Sequence, residues 1–176
     1  MKRFPIVFLA LLAFGASAAF AQNVSYNFEK SADFSKFKTY KWVDIKNADH
    51  VDELTASQIK AALDTELTAK GLTKTESDDA DLYIGYQTAI GSEKEFNSYN
   101  TGWGWRGGMG TTTTTTNTIY IGELVLDMYE VSKKSVVWRG TATKTLDMKA
   151  KPEKRQNNIA KAVTKLLKNF PPPVKK

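Results

Sequence analysis

The chemistry open to this chain is bounded by its single histidine, His50, the absence of cysteine, and nineteen acidic side chains. Zinc and copper sites draw on histidine and cysteine in groups, so neither can be assembled from the usual ligands within one copy. His50 lies in the polar stretch from Asn47 to Glu53, and no Gly-x-Ser-x-Gly elbow accompanies it. It reads as a surface-loop residue rather than part of a Ser-His-Asp relay. Asp78, Asp79 and Asp81 crowd together, but they lack the alternating ligands, central glycine and distal glutamate of an EF-hand loop. They read as a solvated turn ahead of a strand. Paired carboxylates can hydrolyse glycosidic bonds, yet spacing singles out no pair among the nineteen acids. The sequence therefore offers no catalytic set, no metal site and no cofactor, and it points away from an enzyme.

One stretch does carry recognition chemistry. Within Gly102 to Gly110, Trp103 and Trp105 alternate, so on an extended backbone both project to one side, with Arg106 next to them and Tyr99 close by. Flat aromatic faces stack on sugar rings, and a guanidinium reaches anionic groups. Tyr99, Trp103, Trp105 and Arg106 are the candidate ligand or partner site; the competing reading folds the tryptophans back over a sheet edge. The glycines do not form a phosphate loop, because the Gly-Lys-Ser/Thr ending is missing.

The elements that must position this segment are punctuated clearly. From Ile119 to Leu146 two runs alternate apolar and polar, the signature of a central β-hairpin. In the second run Val136, Trp138, Gly140, Ala142 and Leu146 share one parity. In the first the apolar parity switches at Gly122-Glu123, where a β-bulge is expected. Residues Glu130 to Ser135 form the connecting turn. Arg139, opposite in parity to Trp138, is expected to make a cross-strand ion pair. A strand is expected at Val24, Tyr26 and Phe28, another from Phe37 to Val43, and another through Leu82, Ile84, Tyr86 and Ile90. Gly91 to Thr118 reads as a flexible Gly/Trp/Thr-rich loop, whose threonines, Thr111 to Thr116, favour extended backbone and could prolong the hairpin as an edge.

Two helices complete the set. Thr55 with Gln58 matches a capping box and Leu54 with Ile59 a hydrophobic staple, ahead of the stripe Ile59, Leu63 and Leu67. Gly71 is placed to end that helix, with Leu72 touching Leu67. The second helix runs from Pro152 or Glu153 to Asn169, with Ile159, Ala162, Val163, Leu166 and Phe170 inward, and is stopped by Pro171-Pro172-Pro173.

Lys2 and Arg3, an apolar run from Phe4 to Phe14 and Ala19-Phe20-Ala21 read as a signal peptide over residues 1–21. The run is too short to span a bilayer, which takes roughly 20 residues. A single soluble domain, 22–176, is expected in the bacterial periplasm, without a cysteine to carry lipid or disulfides. Losing Lys2 and Arg3 lowers the net charge of +6 by two. Ten basic residues then concentrate between Lys144 and Lys176 against only Asp147 and Glu153, leaving an acidic body. Export argues against nucleic acid as the client of that basic end.

Asp33-Phe34 with Lys38-Thr39-Tyr40-Lys41-Trp42, Asp79-Ala80-Asp81-Leu82, the Gly122 to Asp127 stretch, Val137-Trp138-Arg139-Gly140 and the closing Phe170-Pro171-Pro172 together resemble the bacterial envelope family called domain of unknown function 4136. The resemblance covers almost all of the mature chain. Many relatives resemble lipoproteins with a cysteine at the cleavage site, where this chain has Ala19-Phe20-Ala21-Gln22. The family implies no established activity.

The expected architecture is α+β: two helices packed on one face of a four- to five-stranded antiparallel or mixed sheet. Trp42, Leu63, Leu67, Leu126, Trp138, Val163 and Leu166 form its core. Parallel pairing of an early strand is open, since the first helix could be a crossover. The leading functional reading is a non-catalytic envelope module that binds a protein or glycan. The alternatives are a carboxylate-dependent hydrolase of envelope glycans and a protein held peripherally at the membrane surface by its basic end.

Overall fold

Alternating strands and two capped helices assemble as β1 (Asn23–Phe28), β2 (Thr39–Trp42), α1 (Glu53–Ala69), β3 (Thr73–Lys74), β4 (Leu82–Asn100), β5 (Thr112–Glu130), β6 (Ser135–Leu146) and α2 (Pro152–Leu166). The structure is a computed structural model describing residues 23–46, 48–49, 51–100 and 112–173, with backbone alone at 96–100, 112 and 113. The described strands form one mixed sheet in the order β1-β6-β5-β4-β2-β3. It has six strands rather than four or five: the addition is β3, two residues after the first helix that are too short to show a period. β2 runs parallel to β4 with α1 between them in sequence, so α1 is the crossover a parallel pair requires.

One face of the sheet is apolar. Leu82, Ile84 and Tyr86 of β4, Leu124, Leu126 and Met128 of β5, and Trp138 and Ala142 of β6 are buried there against Ile59, Leu63 and Leu67 of α1 and Val163, Leu166 and Leu167 around the end of α2. Trp138 is fully buried and meets Phe170 edge-on, with ring centroids 5.6 Å apart. Its indole lies over Gly140, where any Cβ would overlap the ring, and this explains a glycine in mid-strand. Trp42 is only half-buried, packed against this cluster from β2.

Several local expectations are corrected. No bulge lies at Gly122-Glu123, where β4 and β6 stay in register with β5; the irregularity falls between Met128 and Tyr129. Opposite it, Trp138 pairs with Met128 and Val136 with Tyr129, leaving Val137 as the extra residue. Val137 is buried while Val136 is 47% exposed, so Val136 does not belong to the core face. Helix α1 is capped by Asp52, whose carboxylate accepts from the Thr55 amide at 3.0 Å, not by Thr55; Leu54 is 70% exposed and staples nothing. The other end follows expectation: Gly71 has φ +88°, its amide donates to Thr68, and the Leu72 amide donates to Leu67. α2 stops at Leu166, short of Asn169.

The stretch expected as a loop from Gly91 to Thr118 is strand over 91–100 and 112–118, paired from Gly91–Ile121 out to Asn100–Thr112. Thr112 to Thr116 extend the hairpin's first arm, as the preference of threonine for extended backbone suggests.

Candidate functional site

The two helices run side by side in the same direction. The first turns of both line one cleft, while Thr164 of α2 donates to Glu66 of α1 at 2.6 Å toward their far ends. They cover the apolar face only as far as Thr88, Leu124 and Ala142, and the sheet continues past them. At that boundary a cleft of about 290 Å³ opens, floored by Ile90, Gly122 and Leu146 and walled by Ile59, Met148 and Ile159. Gly122 keeps the floor low, since a Cβ there would press within 2.9 Å of Leu146.

Polar groups in this cleft are few. Lys144 lies on the same strand face as Ala142 and Leu146, opposite Gly122 in register, and donates to Asn158 Oδ1 at 2.8 Å. Burial, followed by repulsion from Lys161, Lys165 and Lys154, pulls its ammonium below the ordinary lysine range. Among the described residues no carboxylate pairs with it. The nearby acids are engaged: Asp147 pairs with Lys154 at 2.9 Å and Asp52 caps α1. Arg155 donates through Nε to the Ala150 carbonyl at 3.0 Å.

Beyond the cleft, β4 and β5 leave the sheet as a two-stranded ribbon. β6 pairs with β5 only as far as Tyr120, and β2 pairs with β4 only from Leu82 to Ile84, so no other described strand flanks the ribbon. Its described side chains from Ser92 to Glu95 and from Thr114 to Thr118 are exposed, while Ile119 at its base is partly buried. Sheet edges without a neighbouring strand are templates for further pairing.

Of the residues predicted to bind a partner, Tyr99 has a described backbone and lies in the ribbon itself. The backbone of Tyr99 pairs with Thr113 in β4 and β5. Its side chain lies outside the described residues, as do Trp103, Trp105 and Arg106, and so does His50. The acidic turn is not simply solvated. Asp81 Oδ2 accepts from the amides of Lys38 and Thr39 at 2.8 and 2.9 Å and from Thr39 Oγ1 at 3.0 Å, fastening the start of β2. Asp78 pairs with Lys41 at 2.5 Å. Arg139 forks onto Asp127, at 2.5 and 2.7 Å. No group of three His, Cys, Asp or Glu among the described residues is arranged to hold a metal ion.

Sequence reasoning missed Lys144 and also Asp64. Asp64 Oδ1 accepts from Tyr40 Oη at 2.7 Å and Trp42 Nε1 at 2.8 Å, tying α1 to β2. Burial and this carboxylate push the Tyr40 hydroxyl well above the usual tyrosine range. Lys60 lies 6.0 Å from the Trp42 ring and 5.9 Å from Tyr86. The network is a partly exposed tie, in which Lys74 also pairs with Asp64 at 3.6 Å.

The sequence pattern of a family described as Domain of unknown function (DUF4136) matches residues 24–172. No curated protein matches the chain. Among solved structures, a PDZ domain protein from Parabacteroides distasonis superposes with a TM-score of 0.56 at 17% identity, over 86% of this chain. This chain spans 36% of that protein, about a third of its length. A PelC dodecamer from Paraburkholderia phytofirmans superposes with a TM-score of 0.51 at 13% identity, over 84% of this chain and 95% of the other. At such identities the likeness is one of fold.

Proposed function

We propose, from the premise that this chain belongs to the DUF4136 family, that it is an exported, non-catalytic module of the bacterial envelope. It binds a protein or glycan partner through the β4–β5 ribbon and the aromatic segment joining its strands. The observation that carries this reading is the ribbon. A lone two-stranded hairpin is marginal in water, and this one extends past its neighbours with polar side chains on both faces. A partner strand along either edge would supply the missing ladder, and Tyr99, Trp103, Trp105 and Arg106 would supply side-chain recognition. The leader-like residues 1–21 support export to the periplasm.

The test is capture of envelope components by the purified chain and by Trp103→Ala/Trp105→Ala. Retained melting temperature with lost capture is the expected result. Capture unchanged by the double substitution overturns the reading.

Self-assembly is a second reading, favoured by the PelC likeness, because that protein was solved as a dodecamer and this chain matches 95% of it. Light scattering on the purified chain discriminates: a defined oligomer that dissociates when Thr116→Pro blocks an edge supports it, and a monomer at all concentrations rejects it.

A further inference from the structure

We propose that the cleft between the first turns of α1 and α2 is a binding site for a single acyl chain bearing an anionic head group, with the chain on Ile90, Leu146, Ile59 and Ile159 and the head group at Lys144. This goes beyond the ribbon reading and does not depend on it.

The argument begins with what the cleft lacks. Its lining is largely apolar and in contact with solvent, for Ile90 on the floor is 55% exposed and Met148 on the wall equally so, although both border a cavity rather than a convex surface. At about 290 Å³ it falls just below the roughly 300–1,000 Å³ typical of small-molecule pockets, a size for one chain rather than two. The one ammonium on the floor is held by a neutral amide, Asn158, with like charges around it and no carboxylate pair among the described residues. A half-buried cation in that setting gains from any anion brought to it with its own apolar body. Asp147, the acid best placed to compete, is occupied by Lys154 and by the Lys149 amide. Register puts the side chains of Glu123 and Thr145 on the opposite face of the sheet, so those residues present only backbone to the cleft.

The experiment titrates the purified full chain with dodecanoate below its micellar concentration, alongside dodecanol, dodecyltrimethylammonium and inorganic phosphate, by calorimetry. Dodecanoate should bind at least tenfold more tightly than dodecanol, and the cationic detergent and free phosphate should not bind measurably. Lys144→Met keeps the apolar stem and removes the charge, so it should erase the preference for dodecanoate over dodecanol. Ala162→Phe fills the cleft from α2 and should abolish binding of both, with the melting temperature kept. Equal binding of dodecanoate and the cationic detergent, or dodecanoate affinity untouched by both substitutions, would overturn the proposal.

Discussion

Asp81→Ala should be among the most damaging single changes on the accessible part of this molecule. In the parent, one carboxylate oxygen collects two amides and a hydroxyl, while Thr39 Oγ1 in turn accepts from the Asp81 amide at 3.0 Å. This closes a ring of bonds between the start of β2 and the start of β4. Hydrogen bonds to a charged acceptor contribute about 1.5–3 kcal/mol each where water cannot replace them, and much less where it can. The Lys38 amide is open to water, whereas the Thr39 groups are partly buried. Discounting the first and keeping the second, the loss comes to roughly 3 kcal/mol, or roughly 6–12 °C at roughly 2–4 °C per kcal/mol for a chain of this size. Burial raises the carboxyl's pKa, but the amides of Lys38 and Thr39 and the Thr39 hydroxyl outweigh it, so in the fold it lies below its ordinary value. A depressed acid stabilises the fold fully above the ordinary carboxylate range and progressively less as pH falls through its folded value. The melting-temperature gap between the parent and the isosteric Asp81→Asn should therefore be widest near neutrality and narrow below about pH 4. Thermal melts followed by circular dichroism at pH 7 and pH 3 decide it. A loss of under 2 °C for Asp81→Ala, or a gap just as wide at pH 3, would refute the reasoning.

The remaining predictions concern the sheet. Val137→Ala should cost about 1–3 kcal/mol in urea unfolding, and Val136→Ala about 0.5 kcal/mol or less, because the bulge turns only Val137 into the core. Equal costs would place the irregularity elsewhere. Gly140→Ala should destabilise by about 1–3 kcal/mol, since its methyl collides with the Trp138 ring and approaches Leu166 to 2.8 Å. Gly91→Ala, with nothing within 4 Å of its Cβ, should be neutral or slightly stabilising in the same assay.

The central hairpin, both helices and the mixed α+β layering were legible because each rests on a period that burial enforces. Leu124, Leu126, Met128 and Trp138 could occupy no other face once helices covered it. What escaped was decided by competition between similar residues. Val136 and Val137 are both apolar, so parity alone cannot say which a bulge buries. Asp52 and Thr55 are both good caps three residues apart, and the carboxylate that reaches the Thr55 amide prevails. Lys144 escaped for another reason. It stands between Ala142 and Leu146 on the inward parity, and as the charged member of an apolar run it reads as an interruption. A period of two tells which face a residue takes but not where the helices above that face end.

That end point governs both candidate sites. At about 1.5 Å per residue the seventeen residues of α1 span roughly 25 Å, while nineteen residues of β4 at about 3.3 Å span roughly 60 Å. No arrangement of this helix along the strand can cover all of it. The sequence follows the mismatch: Leu82, Ile84 and Tyr86 lie under the helices, Ile90 sits at the margin, and Ser92 to Glu95 continue into water. The cleft is the margin, where apolar floor has outrun its cover and Lys144 has come with it. The ribbon is the overshoot, and two strands standing without a third are marginal in water. The paired continuation of β4 and β5 to Asn100 and Thr112 leaves two edges without a neighbouring described strand, the feature the proposed partner would use.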